Sequence, residues 1–222
     1  MSRLCLVPDA QIWQKQFGVV PTALPAELQR PRYNVGRGAA VPVIRQAIDT
    51  ERELVSMRWG YVHHSVRADQ PRQQPLTIQS QRLFRPYFEE SSHQRRCLIP
   101  VNGYYTWHGW EEGPGLPYFV RQRSRLPFLL AGVYDNWNGE ERFAIIVARA
   151  NETLSKIYPW MPAIVEPAHM SQWFAHAQWP LHAHWRELLS THSMLDLEVI
   201  QVSRDLFIDN KDDPSLIEPV SA

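Results

Sequence analysis

One stretch, CLIPVNGYYTWHGW at 97–110, restricts the fold more than any other part of this sequence. Residues 97–101 form a short apolar run with β-branched side chains, and strand-forming residues resume at Tyr104 after a break at Asn102-Gly103. We interpret the stretch as part of a barrel wall, with a kink at the glycine that lets a partner approach closely. Its Tyr and Trp side chains are either core residues or a stacking platform for flat ligands such as bases.

The rest of the chain alternates strand patterns with turn signals and a few short helices. Predicted strands lie at 41–45, 53–62, 96–101, 103–109, 117–122, 127–134, 142–149, 162–165 and 197–203. Predicted helices lie at 8–17, between Asp9 as cap and Gly18 as stop, at 82–94 with Pro86 against its middle, at 150–158 after Asn151, and twice within 167–192. This pattern predicts an α+β fold, with a curved, barrel-like, mainly antiparallel sheet and peripheral helices, in a single domain over residues 1–222.

Composition excludes several classes of protein. The 222 residues suffice for one sizeable core, and two cysteines, Cys5 and Cys97, are too few for a disulfide framework. No apolar run approaches the ~18 residues of a membrane span. The first eleven residues lack the apolar core of a signal peptide. We therefore expect a cytoplasmic protein that does not interact with membranes.

The charge balance gives no bulk attraction to nucleic acid, because the formal net charge is zero. The choice of cation is more informative. Lysine occurs only at Lys15, Lys156 and Lys211, and every other basic residue is arginine, which makes bidentate contacts to phosphate. A coding bias toward GC-rich codons explains this preference equally well.

Familiar catalytic motifs are missing from the sequence. The close histidine pairs, His63-His64 and His182-x-His184, lack matched cysteine or carboxylate spacing, so no metal site is predicted. There is no G-x-S-x-G elbow and no glycine-rich phosphate loop after a strand, and we expect no cofactor.

Eight segments, taken in order along the chain, resemble the SRAP family, the SOS-response-associated peptidases or abasic-site processing proteins. They are RYNVGRG (32–38), RWGY (58–61), RLFRPYF (82–88), RRCLIPVNGYYTW (95–107), PYFV (117–120), LLAGVY (129–134), FAIIVARANETLSKIYPWMPAIV (143–165) and VIQVSRD with NKDD (199–213). The resemblance covers nearly the whole chain, and it implies the SRAP fold.

The resemblance also implies chemistry at the N-terminus. Family members expose a cysteine at position two, whose amine attacks the aldehyde of an abasic site in single-stranded DNA and whose thiol closes a stable thiazolidine. An Asn in an RYN motif positions the terminus, and a Glu and a His handle protons. The family is also proposed to release its own propeptide.

This sequence departs from the family at most of those positions. Ser2 stands where the cysteine belongs, Asn34 keeps the RYN asparagine, Thr106 replaces the Glu, and Tyr158 replaces the His. A further family motif, N-A-R-x-E, should fall between Arg72 and Thr77, where Arg72 or Gln73 are the candidate stand-ins. The small side chain of Ser2 favours removal of Met1.

These replacements predict loss of the stable cross-link. A hydroxyl is a poorer nucleophile than a thiol, and an oxazolidine hydrolyses readily. Neither Thr nor Tyr titrates near neutral pH, as Glu and His can. The terminal amine remains, with an expected pKa of ~7.7–8, so the formation of a transient Schiff base is an alternative that the sequence leaves open.

Three hypotheses follow. The first is a protein that binds single-stranded or abasic-site DNA without a stable cross-link. The second is an active lyase, reversible cross-linker or autopeptidase that uses the Ser2 amine with Asn34, Thr106 and Tyr158. The third is a protein-interaction module that keeps only the fold. The predicted DNA-binding residues are Arg32, Arg82, Arg85, Arg95, Trp107 and Trp160.

Overall fold

The structure is a computed structural model that describes residues 2–46, 51–69, 74–109, 115–175, 189 and 196–220. The strands are β1 (Arg3–Leu6), β2 (Arg32–Val35), β3 (Ala40–Arg45), β4 (Glu53–Trp59), β5 (Thr77–Gln79), β6 (Arg96–Val101), β7 (Gly103–His108), β8 (Leu116–Gln122), β9 (Phe128–Trp137), β10 (Glu140–Arg149), β11 (Trp160–Pro162), β12 (Ile164–Val165) and β13 (Leu197–Gln201). The α-helices are α1 (Ala10–Phe17), α2 (Pro86–Gln94), α3 (Glu152–Ser155) and α4 (Met170–Phe174).

Five strands close into a barrel. Hydrogen bonding runs from β10 through β4, β3, β6 and β9, and β9 pairs again with β10 to close the ring. Within this ring β10 and β4 are parallel, whereas the other four pairings are antiparallel. The predicted α+β class with a barrel-like, mainly antiparallel core is confirmed.

The second sheet is antiparallel and carries the start of the chain. Its order is β13-β8-β7-β1-β2, so β1 lies between β7 and β2 rather than at an edge. The chain leaves the barrel and enters this sheet at Asn102. The Asn102 backbone N–H donates to the Cys5 carbonyl at 2.9 Å, and its Oδ1 accepts from the Val7 N–H at 2.7 Å. Asn102 therefore holds the C-terminal end of β1 in place.

Close packing explains why the chain has a glycine at position 103, just after β6. The Phe119 ring lies directly over its Cα, and an added Cβ would lie only 2.6 Å from the Val120 carbonyl oxygen. The close approach expected from the sequence is thus made by the neighbouring strand β8.

Side chains of β1 and β7 alternate between two cores. Leu4, Leu6 and Tyr104 pack in one cluster with barrel residues. Cys5 and Tyr105 point the other way, into a smaller cluster that is completed by residues of the C-terminal segment 202–217. This alternation fixes which face each residue of the candidate site occupies.

The helices differ from prediction where proline intervenes. Helix α1 is confirmed, with Asp9 as cap and Gly18 in the left-handed region at φ 72°. The predicted helix 82–94 begins only at Pro86, which occupies the first turn because its missing N–H is not needed there. Residues 80–84 form a separate 3-10 turn instead. Helix α3 stops at Ser155, well before Tyr158, because Pro159 disfavours helical backbone in the residue before it.

Several predicted boundaries also move. The strand predicted at 53–62 ends at Trp59, and a short strand that was not predicted, β5, lies at 77–79. Strand β9, predicted to end at 134, continues to Trp137, and the turn to β10 consists of Asn138-Gly139, both at positive φ. The second helix predicted within 167–192, with His182 and His184, lies outside the described residues. None of the described helices combines the length and the apolar composition that a membrane crossing requires.

We expect Gly103→Ala to lower the free energy of unfolding by about 3 kcal/mol, because the new Cβ would overlap with the Phe119 ring and with the Val120 backbone carbonyl. Gly139→Ala is the matched control: its surroundings are open and only its positive φ of 80° is strained, which costs about 1 kcal/mol. Urea denaturation of both variants measures the difference. Equal losses would show that Gly103 is not held by close packing.

Candidate functional site at the N-terminal strand

The register of the second sheet brings two of the predicted catalytic residues together. Arg3 pairs with Tyr105, so one further antiparallel step places Ser2 opposite Thr106. The alternation of side chains puts both on the face that carries Leu4 and Tyr104. Ser2 is partly exposed, whereas Thr106 is buried.

The Asn34 side chain and backbone bond to the C-terminal segment. Its side-chain amide donates to the carbonyl oxygens of Leu206 at 3.1 Å and Lys211 at 2.9 Å, and its backbone N–H donates to Asp212 Oδ1 at 2.8 Å. The Tyr33 N–H donates to the same carboxylate oxygen. Asn34 therefore ties the C-terminal segment to β2, while its buried Oδ1 accepts no hydrogen bond from the described residues.

Tyr158 lies between two residues of a core cluster. Leu154 and Met161 belong to the same cluster as Leu4 and Tyr104, so both ends of the segment that joins α3 to β11 are anchored in that core. Tyr158 itself is 39% exposed, and its backbone N–H donates to the Leu154 carbonyl at 2.9 Å. The chain has an exposed phenol at this position, where the family resemblance implies a histidine.

Cys5 is the nearest thiol to Ser2 along the chain, but it faces the smaller core and is fully buried. Burial, together with the negative charge of Asp212, raises the pKa of the Cys5 thiol to about 12. The thiolate is the reactive form, so Cys5 does not replace the missing thiol at position two.

A cleft of about 480 Å³ opens beside β1 on the Asn34 side. It is lined by Arg3, Asn34, Gly36, Arg37 and residues 207–212. The Arg3 side chain lies across Gly36, where a Cβ would collide with its guanidinium. Neither Arg3 nor residues 207–212 were predicted as site residues. The NKDD segment, which includes Lys211 and Asp212, was the sequence feature that could have indicated them.

The predicted DNA-binding arginines fall into two groups. Arg82 and Arg85 are exposed just before α2 and form no ion pair within the described residues. Arg95 instead bonds to Glu90 Oε1 at 2.8 Å and to Asp135 Oδ1 at 2.5 Å, so its charge is compensated. Arg32 donates to the Ala40 carbonyl at 2.8 Å, and burial lowers the pKa of its guanidinium.

The predicted stacking residues also divide. Trp107 is only 8% exposed and packs near Phe207, with the ring centroids 6.1 Å apart, so it contributes to the smaller core. Trp160 is half-buried at the start of β11, and the Arg149 guanidinium lies 4.6 Å from its ring centroid. The stand-ins Arg72 and Gln73 lie outside the described residues.

Comparison with known proteins identifies the family of this chain. The family model for the SOS response associated peptidases (SRAP) matches residues 2–207. The chain is 25% identical to the abasic site processing protein YoqW of Bacillus subtilis over 204 residues, which are 88% of this chain and 89% of YoqW. It is 27% identical to the abasic site processing protein HMCES of Gallus gallus, where the match covers 81% of this chain and 63% of that protein.

Solved structures show the same fold. A protein from Bacteroides thetaiotaomicron superimposes with a TM-score of 0.82 at 21% identity and full coverage of both chains. A phage-related protein from Bordetella bronchiseptica gives a TM-score of 0.69 at 20% identity, covering 92% of this chain and 95% of its own.

Neither cysteine should react in the native protein. At pH 8 a thiol with a pKa of about 12 is only ~0.01% ionised, and Cys97 is likewise buried, with its pKa raised by burial. Iodoacetamide followed by intact-mass measurement should give no adduct on the folded chain and two adducts in denaturant. Rapid labelling of Cys5 in the folded chain would contradict the assignment of that thiol to the core.

Proposed function

The chain belongs to the SRAP family, and we propose that within it this protein binds single-stranded DNA carrying abasic sites without forming a stable thiazolidine cross-link. The observation that carries the proposal is the residue at the start of β1. Ser2 occupies the position where the family presents its nucleophilic cysteine, and the strand register holds that position opposite Thr106.

The chemistry at Ser2 stops one step short of the family's product. The terminal amine condenses with the aldehyde of the opened abasic sugar, water leaves, and an imine forms. A thiol would then add to the imine carbon and close a ring that survives in water. The Ser2 hydroxyl is a weaker nucleophile, and the five-membered ring that it would close reopens readily, so the imine returns to amine and aldehyde.

No other group in the described part of the site supplies the missing function. Cys5 is buried on the opposite face of β1. Thr106 is buried and its hydroxyl does not titrate in the usable range, and Tyr158 offers a phenol in place of the imidazole that the family resemblance implies. We propose that Asn34 acts through structure, by holding the C-terminal wall of the cleft beside β1.

We assign phosphate contacts to Arg82 and Arg85, because both are exposed and neither forms an ion pair within the described residues. Trp160 is the proposed stacking residue, since its ring is part-exposed near the Tyr158 segment. Base–aromatic stacking contributes about 1–3 kcal/mol per base, enough for weak binding together with a few phosphate contacts. We assign no direct DNA contact to Arg32, Arg95 or Trp107, because their side chains are engaged with Ala40, with Glu90 and Asp135, and with Phe207.

A second candidate function is reversible Schiff-base or lyase chemistry from the Ser2 amine. It is favoured by the partial exposure of Ser2 at the outer end of β1, which leaves the amine accessible to an aldehyde. The two candidates differ in whether the imine forms at all, and one experiment separates them.

That experiment mixes the purified protein with single-stranded DNA carrying one abasic site, with and without borohydride, and separates the products on a denaturing gel. We expect no shifted band without reductant, because no stable ring closes at Ser2. A band only with borohydride would establish the Schiff-base candidate. A band without reductant would contradict the proposed loss of cross-linking.

Replacing Arg82 and Arg85 together by glutamine should weaken binding to single-stranded DNA and lower the slope of log K against log salt by about 1.4, or about 0.7 per phosphate contact. The matched control replaces Arg67 and Arg123, which are exposed but paired with Asp69 and Asp196 at 3.2 and 2.9 Å. Fluorescence anisotropy across a salt series measures both slopes. An unchanged slope in the Arg82/Arg85 variant would remove these residues from the interface.

A further inference from the structure

A second cluster of ionisable side chains lies away from β1, where α2 crosses β9. It combines His63 and His64, which follow β4, with Glu90 of α2 and Asp135 of β9. The sequence shows the pair His63-His64 but not its partner Asp135, because 71 residues separate His64 from Asp135, and no metal site was predicted there. The role proposed for the N-terminal site does not use this cluster.

His64 is oriented by a buried carboxylate. Its Nδ1 lies 2.9 Å from Asp135 Oδ2, and its backbone N–H donates to the same oxygen at 3.0 Å. Asp135 is fully buried and also accepts from Arg95 and from the Asn136 N–H, so it is held as an acceptor. The proton therefore sits on Nδ1, and the lone pair of Nε2 points away from Asp135.

Glu90 is oriented in the same manner from the other side. Its Oε1 accepts from Arg95 Nη2 at 2.8 Å, which leaves Oε2 directed toward His64, 3.8 Å from Nε2. Arg95 thus bridges Glu90 and Asp135, one through each terminal nitrogen. Both His64 and Glu90 keep more than 40% of their side chains exposed, so an ion can reach them from solvent.

His63 completes the group. Its ring centroid is 4.1 Å from that of His64, and its Nδ1 lies 2.7 Å from Ser65 Oγ, so Nε2 is the ring nitrogen left for a further ligand. Ligand atoms of His63, His64 and Asp135 all lie within 4.8 Å of one another. Tyr87 covers the outer face of the His63 ring at 4.5 Å and limits its rotation.

We propose that His64 and Glu90 bind a divalent transition-metal ion of the zinc class, with Asp135 and Arg95 as the residues that orient them. His63 is the proposed third ligand, because one of its ring nitrogens lies within 4.8 Å of a ring nitrogen of His64. Imidazole and carboxylate groups are ligands that zinc prefers, at bond lengths of about 2.0–2.2 Å. Two such donors on one tetrahedral ion are ~3.4 Å apart. The 3.8 Å between His64 Nε2 and Glu90 Oε2 needs only a small side-chain adjustment.

The second shell supports this assignment over a simple surface ion pair. Histidine ligands of zinc usually donate their other ring N–H to a carboxylate, and loss of that partner weakens metal binding by about 10–100-fold. Asp135 fills this role for His64. Three protein ligands would leave the fourth position of a tetrahedral ion to water, as at zinc sites that hold a water molecule.

The test is zinc binding to the untagged full chain, measured by isothermal titration calorimetry and by the visible absorption of bound Co²⁺. We expect one ion per chain, and at least tenfold weaker binding in both His64→Ala and Glu90→Gln. His108→Ala, an exposed histidine on β7 away from this cluster, is the matched control and should bind as the unmodified protein does.

Circular dichroism and thermal melting of each variant without metal exclude loss of folding as the cause. Glu90→Gln is close in shape to the original and keeps an acceptor for Arg95, so it isolates the lost carboxylate charge. If the unmodified protein binds no zinc, or if His64→Ala and Glu90→Gln bind it as tightly as His108→Ala, the proposal is wrong. Neither result bears on DNA binding, which rests on other residues.

Discussion

The position of the first strand is the constraint on which the candidate site depends. β1 is inserted between β7 and β2, and Asn102 fastens its C-terminal end through two hydrogen bonds at the point where the chain leaves the barrel. The register of a strand that is paired on both sides is fixed. A shift by one residue would turn every side chain of β1, including those next to Ser2 and Arg3, to the opposite face of the sheet. The residue at position two is therefore held in one place, and the proposed function rests on the chemistry of that residue.

The arginines show why composition alone gave a weak signal for DNA binding. Arg96 is buried and donates to the carbonyl oxygens of Ser92, His93, Trp173 and Ala175 at 2.6–2.8 Å, and burial lowers the pKa of its guanidinium to about 10. It ties the end of α2 to the end of α4. Arg95, its neighbour, is bound to two carboxylates. Much of the arginine content thus serves internal hydrogen bonding, and only exposed residues such as Arg82 and Arg85 are available to phosphates.

Local patterns in the sequence predicted most of the architecture. Alternation and β-branched residues located the long strands β6 to β10, and the Asn102-Gly103 break marked the crossing from barrel to second sheet. The predicted helix ends were less accurate near Pro86 and Pro159. Proline can start a helix or end one, depending on its position, and the sequence pattern did not distinguish the two cases.

The partners of the site residues were not predictable from the sequence, because they are distant along the chain. Asn34 bonds to residues more than 170 positions away, and nothing local to the RYN segment indicates which carbonyls it meets. The same holds for His64 and Asp135, which are 71 residues apart. Ser2 and Thr106 were named from family resemblance, whereas their placement opposite one another follows from the pairing of β1 with β7.

The most direct test of the account restores the thiol by Ser2→Cys, with removal of Met1 verified by intact mass, and incubates the variant with abasic single-stranded DNA. The account predicts an adduct that survives denaturation without reductant in the variant and none in the unmodified protein, because the strand register already holds position two at the site. The adduct forms slowly, since Thr106 and Tyr158 still stand where the family has Glu and His. An equally stable adduct with the unmodified protein, or none with the variant, would contradict the claim that position two decides the outcome.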